Sequence, residues 1–474
     1  MNELTWMPAT EIREKIVSGE VSSREVLEHF IERIERLNPT LKAFVHLDLD
    51  GARARATELD ESLARGETPG PLHGLPISVK ENLSVAGMPY SFPRMGEYGV
   101  ACYDAIAVER LRAAGAIIVG TNTMMGTSRP KGVTARPEAP DLGAFNWDAE
   151  TRSPWDIDRV PGWSSSGGAA TAAARLLPLA IGSDGGGSTR LPAAFSGVVG
   201  VHPTRGLVPY VDYRQPKFRV SATNGALTRN VKDAALVTQA LAGPDARDYL
   251  AIQTQPQDYM KEISGGVQGW KFAWTDTFGN TEQYAQPHSS AIIDQVRQAA
   301  WKLADIGASI DHADISFEAL GRGGGPGEGE PFVYEIEIAP VNKTPMPKVD
   351  PEAYRANAEW RASTWNEMHR AFDNYDLVLS VTSQEVAPTF EDWKQNWETD
   401  KWGNKRGGYA GVYTSHTSFL NVIGLPAVSI PCGLHNGLPI SLQIIGPASS
   451  EHRIFQAASA IEGAVGFSHR PAIS

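Results

Sequence analysis

Cysteine is nearly absent from this 474-residue sequence, with Cys102 and Cys432 the only two. That scarcity excludes a disulfide framework and a cysteine-rich metal site. Basic residues are outnumbered, 43 Lys and Arg against 55 Asp and Glu, which sets the net charge at -12. A chain this acidic lacks the basic face that phosphate backbones require, so no nucleic-acid partner is expected. No run approaches the roughly 18 apolar residues of a membrane span. The opening "MNELTWMPATEIREK" has neither the basic nor the apolar segment of a signal peptide. A cytoplasmic protein without membrane attachment is the expectation. Internal repeats of about 20 to 50 residues are missing as well.

What remains is the composition of a globular protein, 42% hydrophobic and 21% charged, with 46 Gly and 32 Pro. Residues 8–65 read as helical. "SSREVLEHFIERIERLN" carries a capping box from Ser22 to Glu25, and Val26, Leu27, Phe30, Ile31, Ile34 and Leu37 fall on one helix face. "GLPISVKENL" reads as a strand, "DAIAVERLRAAG" as a helix and "AIIVGTN" as a buried strand. "SSGGAATAAARLLPLAIGSD" predicts a small-residue helix followed by a strand, and "NVKDAALVTQALAG" a further helix. "YDLVLSVTS", "LPAVSIPCG" and "LPISLQIIGP" supply late strands. Strands alternating with helices predict an α/β fold, a mixed sheet covered on both faces within a single large domain. Its expected parts are N-terminal helices at 1–70, a core at 71–245, a variable region at 246–374 and closing strands and helix at 375–474. The least regular stretch is 245–370, where "GRGGGPGEGEP" at 321–331 is either a surface loop or a lid over a site.

Three consecutive glycines, Gly185 to Gly187, stand directly before Ser188 in "IGSDGGGSTRLPAAF". A phosphate loop would need a Lys-Ser/Thr ending, and a hydrolase elbow would need G-x-S-x-G; neither is present. A tight turn and an oxyanion hole of bare N–H groups both remain open on this stretch. "VPGWSSSGGAATAAA" is a second small-residue segment. Ser164 lies 24 residues before Ser188, room for one helix and one strand to return to the same sheet edge. Lys80 in "LPISVK" alternates with apolar positions, which a half-exposed strand with its lysine in solvent explains fully.

These segments resemble the amidase signature family of serine hydrolases. "GWSSSGG" followed by "GSDGGGSTRLPAAFSGVVGVHPTRG" is similar to the family's serine- and glycine-rich pattern. The resemblance extends through "GLPISVKENLSVAGMP", "VERLRAAGAIIVGTNT", "NGALTRNVKDAALVTQALAGPDARD" and "FLNVIGLPAVSIPCGLHNGLPISLQIIGP". It implies the amidase signature fold with a twisted central sheet, and a Ser-cis-Ser-Lys triad. Ser188 would be the nucleophile, Ser164 the bridging serine after a cis Trp163–Ser164 bond, and Lys80 the base. Gly185, Gly186, Gly187 and the Ser188 amide would form the oxyanion hole. Asp184 and Arg190 would brace the loop as a buried pair. Ser165 would either support Ser164 or cap a helix, while His202 and Cys432 read as structural. No metal or cofactor is required.

Departures from the family pattern bear on the substrate. Trp163 replaces a glycine, "GTNTMMG" lacks the usual Pro-Glu after the Asn, and "SVTSQ" lacks the usual T-P-T. Met124, Met125, Gly126 and Trp163 are therefore expected to border an adaptable apolar pocket. Trp393, Trp397 and Trp402 are either flanks of its entrance or ordinary aromatics. The expected function is hydrolysis of a neutral acyl or aryl amide, extending to esters and to carbamates, a urethanase activity. The expected partners are those small molecules, with a homodimer as the candidate assembly. The alternative is a glutaminase subunit feeding ammonia to a tRNA-dependent amidotransferase.

Overall fold

Ser22 begins a long helix as its sequence announces. Its hydroxyl accepts from the Glu25 N–H at 3.1 Å, and the Glu25 carboxylate accepts from the Ser22 N–H at 2.8 Å. The computed structural model describes residues 2–92, 97–124, 151–210, 221–279, 284–318, 351–393 and 412–474. The chain opens with α1 (Asn2–Trp6), α2 (Ala9–Val17) and the capped α3 (Ser23–Leu41). Val26, Leu27, Phe30, Ile31 and Ile34 bury one face of α3, as their spacing requires. Helix throughout 8–65 is not what forms. The strand β1 (Phe44–Leu47) interrupts it before α4 (Leu49–Ala64). Lys42 takes the left-handed conformation that ends α3, and the four residues of β1 are too few to show a period of two.

Next come β2 (Pro76–Lys80), the hairpin strands β3 (Pro89–Phe92) and β4 (Glu97–Val100), α5 (Ile106–Ala113) and β5 (Ile117–Asn122). They are followed by α6 (Ser166–Ala173), β6 (Leu179–Asp184), α7 (Arg190–Ser196), β7 (Val199–His202), β8 (Thr223–Thr228) and α8 (Val231–Leu241). The stretch read as least regular contains β9 (Lys271–Trp274), α9 (Ser289–Asp305), β10 (Ser309–His312) and α10 (Pro351–Phe372). The chain closes with β11 (Leu377–Val381), α11 (Ser418–Ile423), β12 (Ala427–His435), β13 (Leu438–Ile445) and α12 (Glu451–Val465). No helix among the described residues is long and apolar enough to cross a membrane.

Eleven of these strands form one mixed sheet in the order β1-β5-β2-β6-β8-β7-β12-β13-β11-β9-β10. Two parallel runs, β5-β2-β6 and β11-β9-β10, flank an antiparallel middle. Every residue of β2, β5, β6, β8, β11 and β13 is buried, which requires cover on both faces. Ile77, Val79, Ile117, Leu179 and Ile181 pack with α3 residues such as Phe30 in the larger core, while Ala169, Ala172, Ala173 and Ala193 form a small-residue layer with Ala180 and Leu227. The result is a single large α/β domain.

Candidate active site

Parallel pairing of β2 with β6 aligns Val79 with Ile181, so Lys80 and the Ser183–Asp184 end of β6 emerge together at the carboxyl edge of the sheet. With α3 and α6 packed on β2, the strand has no solvent face, and Lys80 is 1% exposed rather than in water. Its ammonium nitrogen lies 2.7 Å from Ser164 Oγ, 2.9 Å from Ser165 Oγ, 3.0 Å from Ser183 Oγ and 3.1 Å from the Ser183 carbonyl. Asn82 donates to the same Ser183 hydroxyl at 3.0 Å.

Ser165 occupies the N-cap position of α6 yet makes no side-chain cap bond. Its hydroxyl lies 3.2 Å from the Ser183 carbonyl and 3.3 Å from the Ser183 N–H, besides contacting Lys80. Neither expected role, a helix cap or a hydrogen bond to Ser164, is what this hydroxyl takes up; it contacts Lys80 and Ser183 instead. The expected cis bond before Ser164 is corrected, since there is no cis peptide among the described residues. Gly162, at φ +127°, turns the chain ahead of Trp163 and delivers Ser164 to Lys80 through a trans bond.

Ser188 is buried on the loop between β6 and α7. Asp184 organises that loop: its carboxylate accepts from the Gly187 N–H at 2.6 Å, the Thr189 N–H at 3.1 Å and the Thr189 hydroxyl at 2.7 Å. Arg190 grips the same carboxylate through Nε at 3.0 Å and a terminal nitrogen at 3.1 Å, both side chains fully buried. The remaining Arg190 donors reach Gln443 Oε1 at 3.0 Å and Asn421 Oδ1 at 2.6 Å. Burial alone would raise the Asp184 carboxyl; the charge of Arg190, with hydrogen bonds from Arg190 and Asn421, outweighs it and holds it well below the usual range. Burial and the charge of Arg190 push His202 down to about 3, leaving a neutral structural ring.

Of the four amides expected to form an oxyanion hole, those of Gly185, Gly186 and Ser188 make no hydrogen bond among the described residues. The Gly187 amide is the correction. At φ +114° its N–H turns back onto Asp184 and is not offered to a ligand. Ser188 Oγ makes no hydrogen bond to Ser164 or Lys80, a contact that in unliganded sites often tightens only around substrate.

Trp163, expected as a site wall, packs edge-on against Trp393 at 4.9 Å and against Tyr413 at 5.8 Å, in a cluster with Leu191 and Phe195. Burying an indole there gains more than exposing it to a polar serine loop. Trp393 belongs to the same buried cluster rather than to an entrance. Met124 is half-buried, its N–H held by Glu81 Oε1 at 2.6 Å. Met125, Gly126, Trp397, Trp402 and 321–331 lie outside the described residues. Cys432 packs in the core, where burial pushes its thiol up to about 12. Among the described residues no group of three or more His, Cys, Asp or Glu could hold a metal ion.

Sequence reasoning missed Ser183, Asn82, Thr417, Ser418, Asn421 and Gln443. The usable signal for Asn421 and Gln443 was a single amide inside an apolar run, "FLNVIG" and "ISLQII", because a buried polar group demands partners.

A buried lysine in contact with Ser164, Ser165 and Ser183 thus stands at the end of a mixed sheet, next to the Ser188 loop with its unbonded glycine amides. The Amidase family model matches residues 25–319 and 334–455, and the chain belongs to the amidase signature family of carbon–nitrogen hydrolases. A glutamyl-tRNA(Gln) amidotransferase subunit of Alkaliphilus metalliredigens (strain QYMF) is 34% identical over 513 residues, covering 98% of this chain and 97% of the relative. The structure of 6-aminohexanoate cyclic dimer hydrolase superposes with a TM-score of 0.78 at 26% identity, covering 99% of both chains. A bacterial aryl acylamidase of the amidase signature enzymes gives 0.75 at 25% identity, covering 97% of this chain and 96% of its own.

Proposed function

We propose that the chain cleaves the carbon–nitrogen bond of a carboxamide through an acyl-enzyme on Ser188. The observation that carries this reading is the buried Lys80 ammonium nitrogen 2.7 Å from Ser164 Oγ, next to a serine loop with unbonded amides. A neutral lysine accepts the Ser164 proton while Ser164 takes that of Ser188, whose oxygen attacks the carbonyl carbon. The 2.7 Å contact serves both states, since Nζ donates when charged and accepts when neutral. Negative charge developing on the carbonyl oxygen meets the N–H groups of Gly186 and Ser188, with Gly185 adjacent. Collapse breaks the C–N bond as Ser164 returns a proton to the leaving nitrogen, and water releases the acyl group by the same relay.

Two substrates divide this reading. The 34% identity with the amidotransferase relative, over nearly the whole of both chains, favours glutamine, with ammonia passed to a partner protein. An apolar amide is favoured by the hydrolase and acylamidase structures, at 26% and 25% identity, and esters and carbamates would offer Ser188 the same carbonyl. The glutamine reading has the stronger support, because Trp163, part of the expected apolar wall, and Trp393, a candidate flank of its entrance, are taken up by a packed cluster. In that reading a tRNA enters as a partner of the assembly, while a chain of net charge -12 is a poor surface for holding it alone. The experiment is kcat/KM for L-glutamine, an aryl anilide and an aryl carbamate, with fluorophosphonate labelling of Ser188 followed by intact mass. A Ser188→Ala variant that keeps activity and labelling overturns the hydrolase reading. A preference for anilide or carbamate, without a co-purifying partner, overturns glutamine.

A further inference from the structure

The carbonyl oxygen of Gly186 receives two hydroxyls from a segment more than two hundred positions later in the chain. Ser418 Oγ lies 2.9 Å away and Thr417 Oγ1 3.0 Å away. The other end of the same peptide unit is the Gly187 N–H, held by Asp184 Oδ1 at 2.6 Å. The plane between Gly186 and Gly187 is thus pinned at both ends. In the next unit the Gly187 carbonyl accepts from the Leu191 N–H at 2.8 Å. Because a trans peptide points its carbonyl and N–H in opposite directions, that bond turns the Ser188 N–H away from α7. Glycine offers little resistance to rotation, so these bonds rather than local sterics fix where the free amides point.

Thr417 breaks a local rule in doing this. It stands at the N-cap of α11, a position where threonine normally satisfies the helix's own N–H groups, yet it makes no cap bond. Its hydroxyl is directed at Gly186, with the Thr414 carbonyl at 3.2 Å as second acceptor. The segment that presents it is itself anchored: Gln443 donates to the His416 carbonyl at 2.7 Å and accepts from Arg190 at 3.0 Å. Asn421 donates to the Asp184 carbonyl and carboxylate, both at 3.0 Å. A polar circuit therefore leaves Asp184, passes through Arg190, Gln443 and His416, and returns through Thr417 and Ser418 to the peptide that Asp184 holds at its far end.

We propose that Thr417 and Ser418 are positioning residues, which orient the Gly186 and Ser188 amides toward the developing oxyanion by holding the Gly186 carbonyl. The inference rests on the hydrolase reading above. Its test is the second-order rate of fluorophosphonate labelling of Ser188, which places charge in the oxyanion hole and needs no knowledge of the substrate. Thr417→Val/Ser418→Ala is expected to slow labelling at least tenfold, in line with the loss of aim at one or more oxyanion donors. On whichever panel substrate the parent turns over, kcat falls by a similar factor with KM within about twofold, since the bond acts on the transition state. Thr417→Ser, which keeps the hydroxyl, recovers most of the loss. A double variant that labels within twofold of the parent overturns the proposal. If that variant does not fold, Ser418→Ala alone decides it, with a threefold or greater slowing expected and an unchanged rate overturning it. Failure of the hydrolase reading looks different: the parent then does not label at Ser188 at all.

Discussion

Two adjacent glycines in the serine loop have different obligations. Gly187 sits at φ +114°, and a Cβ there would lie 2.3 Å from Thr417 Oγ1; at Gly186 the nearest atom, Ser418 Oγ, is 3.4 Å away. Gly187→Ala is accordingly expected to lose about 2 kcal/mol or more of stability together with labelling of Ser188, whereas Gly186→Ala stays within about 1 kcal/mol of the parent. Urea midpoints of the two variants check the contrast, and equal losses would refute it. The sequence made the glycines and Ser188 legible because they are contiguous, but it left their division of labour unreadable. Gly187 is committed to Asp184 by backbone geometry that no motif encodes. Lys80 was legible only by resemblance, since alternation along β2 fits a solvated lysine equally well; what buries it is the cover of β2 by helices such as α3 and α6, which pack there from distant parts of the chain.

Elements with strong periodicity or capping chemistry were readable, α3 above all, and those defined by long-range pairing were not. β9 and β10 are four residues each and gain their identity from parallel pairing, β9 with β11 and β10 with β9, between segments far apart in the chain. A further property of this kind lies on α12. Glu462 accepts from the Val231 N–H at 3.0 Å, at the start of α8. Burial, reinforced by the charge of Asp233 and opposed by that hydrogen bond, raises its carboxyl to about 7. Unfolded, the same group titrates near 4.3. Between those values the folded state holds a proton that the unfolded state has released, so this group's contribution to stability is fully present below about pH 4.3 and is lost as pH rises through about 7. Glu462→Gln keeps an acceptor for Val231 and removes the titration. Calorimetry at pH 5 and pH 8 should show a larger fall in Tm for the parent than for this variant. Parallel pH profiles would place the effect elsewhere.

Across the whole molecule, the sheet draws strands from Phe44 to Ile445. β12 and β13 sit between β7 and β11 rather than at an edge, joining the two parallel runs. Unfolding is thus expected to be a single event: urea transitions followed by tryptophan fluorescence and by far-ultraviolet circular dichroism should coincide. Separated midpoints would divide the chain into independent units. The same placement of β12 and β13 sets the order of events on the ribosome. Translation delivers Ser188 long before it delivers Ser418 and Gln443, and the centre of the sheet is the last part to be made. A nascent chain already carrying its nucleophile has β7 waiting without its neighbour, an open edge calling for chaperone protection. On the proposed reading, the serine loop acquires its aim only after Ser418 and Gln443 have been made, so a polypeptide ended before them is expected to leave Ser188 unlabelled.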